Sequence, residues 1–506
     1  MLPTVGIAGP GEPDESQAAI ERFLKASQQP VLLEPGEEHF SLVPGRYALH
    51  RDGVRLTLHA WDEHRNLVRR VTGHKAEQTG RLELIVEMFP RRSGKVLLID
   101  LARPAAASVA TREKRLSFRE QFRTLLSRQF PLWKIAELSS ELDLEHSLSA
   151  RYPRAMLKRG SSALAAIGVS PHGAGADGVL TFGLIWLDHL RQRTPNLTVE
   201  GLVLFLPQGQ ERTTCLRLRW LDPSLAQWQV YVYAPEGHAG QADLKDYGNV
   251  DTRLEPYCDY RAGLSGQVLG WVERIAADQA VALTGKRDGG VSLSVRGMEF
   301  ARAKGERLEF GLTQKVLARE PNLKEIEGIA RELARLRAQD AADRENPLYR
   351  AQPECWLESQ ARAHLADIDA SLEPAPLYGQ VPAFAGGERG VLDLLAAERT
   401  GRLAVLELKA SEDVHLPLQA LDYWLRVEWH LERGEFSERG YFPGISLVRK
   451  PPRLLLIAPA LDFHPKTETI LRYFSPSIPV ERIGLGVEWR KKLRVIFRVR
   501  GSGSPC

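Results

Sequence analysis

The stretch GVLDLLAAERTGRLAVLELKASEDVHLPLQALDYW, Gly390 to Trp424, decides how the C-terminal third of this chain is read. It sets Asp393, Glu407 and Lys409 inside segments, VLDLLA and LAVLELKA, whose apolar runs predict buried β-strands. Charges are seldom fully buried without a partner or a metal. Between the strands lies RTGR, a turn signal. A hairpin centred on Thr400 pairs residues whose numbers sum to 800, so Asp393 faces Glu407. Directly opposed residues share a sheet face, with Cβ atoms roughly 4.5–5.5 Å apart. Lys409, two residues beyond Glu407, projects from that face as well.

Two opposed carboxylates repel and destabilise the strand pair. A divalent cation removes the conflict. Mg2+ prefers oxygen ligands and keeps several waters, and Mn2+ accepts the same donors. The Lys409 ammonium could then orient or help deprotonate an attacking water, or offset charge developing on a phosphate. A slip of one residue in register would send Asp393 to the other face, so the expectation depends on the hairpin. The bare triplet is weak, since ADLKDYG repeats it at Asp243 and Lys245 without an apolar strand or an opposed acid. On the helix that follows, Gln419 and Tyr423 stand at i and i+4 on one face.

The rest of the chain supplies the setting. Its 506 residues predict two to four domains. An apolar fraction of 43% and a charged fraction of 26% are those of a globular protein with real cores. A net charge of +4 does not by itself argue for nucleic acid. Four scattered cysteines with no CxxC argue against a zinc ribbon or a four-cysteine cluster and fit a reducing compartment. The N-terminus has no secretory pattern, and no apolar run reaches membrane-spanning length, so a cytoplasmic protein with no membrane partner is expected.

Residues 1–110 read as a β-rich domain after a short helix near Asp14–Lys25, a small barrel or sandwich. ARPAAASVATREKR then reads as a linker. Residues 111–320 mix α and β: SFREQFRTLLSRQF and DGVLTFGLIWLDHLRQR predict helices, and VEGLVLFLP, LRLRWL and WQVYVYA predict strands. GQVLGWVERIAADQAVAL predicts a helix and GVSLSVRGMEFARAKGERLEFGL a hairpin. No internal repeat is visible. Residues 321–346 read as a connector helix with a capping box at Asn322 and Glu325, stopped by Pro347. Residues 347–506 follow as a C-terminal domain. Its helix near Glu354–Ala370, strands near Tyr378–Phe384, Gly390–Leu395 and Arg402–Ala410, helix near Pro417–Arg433 and strand RLLLIAP give the order α-β-β-β-α-β.

Several motifs fail. HGAGADG contains a GxGxxG from Gly173 to Gly178, but the acid a dinucleotide ribose needs, Glu200, falls at the start of the next strand rather than its end. LTGK lacks the first glycine and the hydroxyl residue of a P-loop. There is no HExxH and no GxSxG.

The last 150 or so residues resemble the PD-(D/E)xK nuclease superfamily, its RecB-type or Cas-exonuclease-type branch in particular. The residues that carry the resemblance are Asp393, Glu407-Leu408-Lys409 and Gln419-Ala420-Leu421-Asp422-Tyr423. Leu392 stands where the motif often has proline. The resemblance implies a restriction-endonuclease-like core and Mg2+ (or Mn2+) held by Asp393 and Glu407. It also implies a helix glutamate before the sheet, Glu354 or Glu358, with Glu358 preferred. Lys409 would act on the attacking water, and Gln419 and Tyr423 would contact the DNA backbone or support the metal ligands. No iron–sulfur cluster is implied, and the resemblance does not extend to residues 1–340.

From Tyr441 to Cys506, twelve basic residues face four acidic ones. The run WRKKLRVIFRVR could track phosphates, or protect an edge strand. The expectation is a Mg2+-dependent deoxyribonuclease of repair, recombination or defence against foreign DNA. Its partner would be DNA, with a further protein partner possible through residues 1–320. The alternative is an inactive nuclease fold kept as a nucleic-acid-binding or scaffold module, and an unread activity in the middle region is a third possibility.

Overall fold

The computed structural model describes residues 13–33, 40–52, 55–61, 66–75, 80–88, 92–100, 102, 105–171, 175–234, 238–245, 250, 252–286, 288–379, 381 and 394–501. It is a mixed α/β protein with, among the described residues, four separate sheets and 13 helices. The chain divides into two units. The first holds residues 1–250, 464–478 and 502–506, and the second holds 251–463 and 479–501.

The first sheet follows helix α1 (Pro13–Ala26). Its seven strands are β1 (Pro30–Leu33), β2 (Phe40–Ser41), β3 (Tyr47–Asp52), β4 (Arg55–Trp61), β5 (Asn66–His74), β6 (Arg81–Met88) and β7 (Arg92–Asp100). All pairs are antiparallel, in the order β2-β1-β7-β6-β5-β4-β3. Alternating apolar residues such as Leu56, Leu58 and Ala60 build one face, and α1 packs on it through Ala19, Ile20 and Phe23. This is one helix-backed sheet where a barrel or sandwich was expected.

Helix α2 (Ala105–Gln129) takes in most of the expected linker, as its alanines favour. The second sheet comprises β8 (Lys134–Ser139), β9 (Arg154–Arg159), β10 (Ser162–Gly168), β11 (Thr198–Pro207), β12 (Gln227–Tyr233) and β13 (Ala239–Gln241). Helix α3 (Val179–Arg193) crosses from β10 to β11 and α4 (Arg212–Leu218) from β11 to β12. Both crossovers join parallel strands. LRLRWL, expected as a strand, supplies the end of α4 instead. Glu200 lies near the start of β11, as the rejection of a dinucleotide site requires.

The second unit opens with α5 (Tyr260–Gly263) and α6 (Gly266–Ala276). An antiparallel meander follows: β14 (Val281–Gly285), β15 (Val291–Val295), β16 (Met298–Lys304), β17 (Arg307–Phe310) and β18 (Val316–Leu317). Helix α7 (Leu323–Leu336), expected as a connector, is core: Leu323, Ile326, Ala330 and Leu333 pack on the meander. Residues 111–320 hold two sheets, and the two units meet in sequence at 250/251.

The fourth sheet decides where the candidate site lies. Before it come α8 (Pro347–Arg350), α9 (Pro353–Ala363) and α10 (Leu365–Ile368). Its strands are β19 (Leu394–Ala397), β20 (Leu403–Leu408), β21 (Arg453–Pro459), β22 (Val480–Leu485) and β23 (Val495–Arg500), in that spatial order. Between β20 and β21 run α11 (Leu416–Glu432) and α12 (Glu435–Glu438), and α13 (Thr467–Leu471) lies between β21 and β22. Of the first expected strand, Tyr378, Gly379 and Val381 are described, and Tyr378 makes an isolated antiparallel bridge to Leu395 of β19. One face of the sheet, including Leu394, Ala404, Leu406 and Leu408, packs against Trp356, Leu357 and Ala361 of α9.

Candidate functional site

The hairpin that places the charges has the expected register. Leu394 faces Leu406, Leu395 faces Val405, Ala396 faces Ala404 and Ala397 faces Leu403, each pair summing to 800. Its turn depends on Gly401, whose φ is +81°; a Cβ at this position would lie 2.0 Å from the Ser446 carbonyl oxygen. Asp393 and Leu392 lie outside the described residues.

Glu407 sits on β20 between an antiparallel neighbour, β19, and a parallel one, β21, and is 3% exposed. Strand alternation turns it away from the Leu406–Leu408 face that α9 covers. Its Oε2 is buried with no hydrogen-bond partner among the described residues. Burial pushes the Glu407 carboxyl up to about 8. Lys409 opposes that rise, while Glu354, Asp413 and Asp422 reinforce it.

Lys409 extends the parallel ladder, its backbone N–H donating to the Ile457 carbonyl at 2.9 Å. Its ammonium lies 3.7 Å from Glu354 Oε1 and 3.5 Å from Asp413 Oδ2, and its side chain is 17% exposed. Glu354 comes from the first turn of α9. Asp413 is fixed in the loop before α11 by accepting the His415 backbone N–H at 2.8 Å.

Of the two helix glutamates, it is Glu354 that meets Lys409. Glu358 is ion-paired with Arg362, one turn on, at 2.7 Å. Both choices were open in the sequence, since the two acids lie one helical turn apart; the arginine at i+4 is the local signal that separates them. Tyr423 is 2% exposed on α11. Gln419, one turn earlier, is half-buried. Asp413 and the buried Asp422 were not singled out from sequence, although Asp413 stands at i+4 from Lys409. The triplet at Asp243 and Lys245 forms a surface turn, with Asp243 Oδ1 accepting the Lys245 backbone N–H.

The donors gathered here are carboxylate oxygens, the type that Mg2+ and Mn2+ take, and the unpartnered Oε2 of Glu407 is of the kind a cation would satisfy. Among the described residues, no three His, Cys, Asp or Glu side chains form a ready metal-holding group.

The basic C-terminal run is partly spent inside the protein. Arg498 joins a buried ionic network, Arg490 lies over the Trp489 and Trp356 rings, and Lys491 pairs with Glu488. Lys492 and Arg494 are exposed.

No family model matches the chain, and no curated protein and no solved structure matches it either. No described helix is long and apolar enough to cross a membrane.

Proposed function

We propose that this chain is a divalent-metal-dependent deoxyribonuclease of the PD-(D/E)xK type, with its hydrolytic centre at the C-terminal end of β20. One observation carries the reading. Glu407 is a buried carboxyl with an unpartnered oxygen, pushed up to about 8, two residues before Lys409, which follows the end of the strand. A site selected for stability alone would hold an apolar residue there, because an unsatisfied buried acid costs free energy and returns none. A cation at Oε2 would offset that cost.

Glu407 and Glu354, with Asp393, are the oxygen donors that would hold Mg2+ or Mn2+. Bound there, the metal would supply positive charge to a phosphate oxygen and acidify a coordinated water. Lys409, held between Glu354 and Asp413, orients the attacking water or offsets charge on the phosphate. Tyr423 and Asp422 support the α11 side, and half-buried Gln419 is the residue of that face open to substrate. Exposed Lys492 and Arg494 suit phosphate contact. Residues 1–320 would engage DNA or a protein partner, in repair, recombination or defence.

The test incubates the full chain with supercoiled, linear duplex and single-stranded DNA in Mg2+ or Mn2+. Wild type cleaves at least one form and EDTA stops it. Glu407→Gln and Lys409→Ala each lose at least about 10²-fold in rate, with neither variant melting below wild type. Unchanged cleavage in both variants would sink the proposal. Metal binding without cleavage of any form would favour the non-enzymatic module.

A further inference from the structure

The second and fourth sheets are built alike. In each, an antiparallel hairpin (β9–β10, β19–β20) leads through a helix into a parallel strand (β11, β21). A second crossover then leads to another parallel strand (β12, β22), and an antiparallel strand closes the edge (β13, β23).

The likeness extends to single residues. The backbone N–H after β10, Val169, donates to Phe205, and the one after β20, Lys409, donates to Ile457, both at 2.9 Å. Aligned on that bond, the core positions coincide. Ala155, Leu157, Leu164, Ala166, Val203, Phe205, Tyr231 and Tyr233 fall on Leu394, Ala396, Ala404, Leu406, Leu455, Ile457, Ile483 and Leu485. The first eight are core under α2, and the second eight are core under α9. The second crossovers are of equal length, since Leu204 faces Val230 and Leu456 faces Arg482, 26 residues on in both.

The two second crossovers also meet, within the first unit. Leu221 bridges Phe474, the Asp222 N–H donates to the Tyr473 carbonyl, and the Ser475 N–H donates to the Trp220 carbonyl. In the same alignment Leu221 falls on Tyr473 and Asp222 on Phe474. The ladder therefore joins equivalent segments of the two folds, but its hydrogen bonds do not exchange, since the Phe474 N–H donates to the Leu471 carbonyl and not to Leu221.

The chemical positions differ. Glu407 falls on Ile167 and Lys409 on Val169; counted by sequence number alone, Asp393, which lies outside the described residues, falls on Arg154, the residue that pairs with Ile167. Arg154 is buried, donates to the Glu141 carbonyl and lies over the Trp186 ring, so it serves packing. Ile167 is 1% exposed, with no acid opposite.

We infer that residues 134–241 are a second copy of the C-terminal fold with its chemical positions blank, so that the chain carries one metal-binding hydrolytic centre and cuts one strand per binding event. The inference rests on the nuclease reading for the cutting step, but its metal count can be read without turnover. The full-length wild type and Glu407→Gln are titrated with Mn2+ by electron paramagnetic resonance. Both are then given supercoiled plasmid in Mg2+ under limiting enzyme.

The expected result is Mn2+ bound by wild type and lost, by at least about tenfold in affinity, in Glu407→Gln, a near-isosteric change that mimics the protonated acid. Plasmid that is cut passes through open circle before any linear form. Mn2+ retained by Glu407→Gln at wild-type affinity, or linear product without an open-circle intermediate, overturns the single centre. Mn2+ lost in the variant with no DNA cut by wild type supports the single centre while removing the nuclease reading. No Mn2+ bound by wild type removes both.

Discussion

Glu407 is the residue on which the proposed chemistry turns. Its raised pKa has a stability consequence whose sign is opposite to the common carboxylate case. The folded state holds the proton up to about pH 8, whereas an unfolded glutamate releases it near 4.5. Between those values the folded state binds more protons, so stability falls as pH rises through that window. Glu407→Gln removes the ionisation. At pH 9 and without divalent metal, Glu407→Gln should melt several degrees above wild type, and at pH 5 the two should coincide, as read by calorimetry. A variant less stable than wild type at pH 9 would show that the ionised Glu407 is satisfied by a partner other than metal.

At the scale of elements, the sheet that carries the site is locked at its other end by ions. Arg453, at the start of β21, donates to Asp369 at 2.7 Å, Glu398 at 2.8 Å and Glu481 at 2.7 Å. Arg498 of β23 donates to Asp369 at 3.1 Å and Glu481 at 2.7 Å. Burial alone would raise the Asp369 carboxyl; hydrogen bonds from Ser371 and Arg453 override it and hold it at about 2. Glu481 is lowered likewise, with burial opposed by Arg498 and Arg453. Both groups contribute stability that is present above the unfolded carboxylate range and lost as pH falls through their folded values. Arg453→Met leaves buried acids short of a partner and should cost about 3 kcal/mol at pH 7, read by urea unfolding. The loss should shrink toward pH 3, and a neutral result at pH 7 would mean that Arg498 alone satisfies the cluster.

Elements of this sheet were legible where local and tertiary demands agree. RLLLIAP reads as a buried strand and is β21 from Arg453 to Pro459. The turn at Thr400 fixed the hairpin register, because Gly401 admits the positive φ that the turn needs. Legibility failed where local pattern and packing part. LRLRWL alternates like a strand, yet forms the end of a helix in the crossover to β12. The amphipathic helix α7 looked like a connector because its acidic and basic face is prominent, while the stripe of Leu323, Ile326, Ala330 and Leu333 had no partner visible in sequence.

For the whole molecule, the repeat was hidden by interchange of core residues. In one copy the cross-strand pair Ala155–Ala166 is small and Leu157–Leu164 is large. In the other, the equivalent pairs are Leu394–Leu406, large, and Ala396–Ala404, small. Volume is kept while every identity changes, which close packing tolerates and a search for sequence repeats does not see. Gly168 shows the same trade. It stands where the other copy has Leu408, and a Cβ there would lie 2.8 Å from the Phe122 ring, which fills the space from α2. The acid and lysine positions were visible in sequence only in the C-terminal copy because only that copy has them.

The central claim is that Glu407 and Asp393 grip one cation beside Lys409. The direct measurement is a crystal structure of the full chain soaked in Mn2+, with its anomalous signal mapped. One peak is expected at roughly 2.0–2.4 Å from carboxylate oxygens of both Glu407 and Asp393, the reach of hard-cation coordination. Asp393 on the opposite face of the sheet from Glu407, or Glu407 Oε2 bonded to a protein group with no peak beside it, would contradict it.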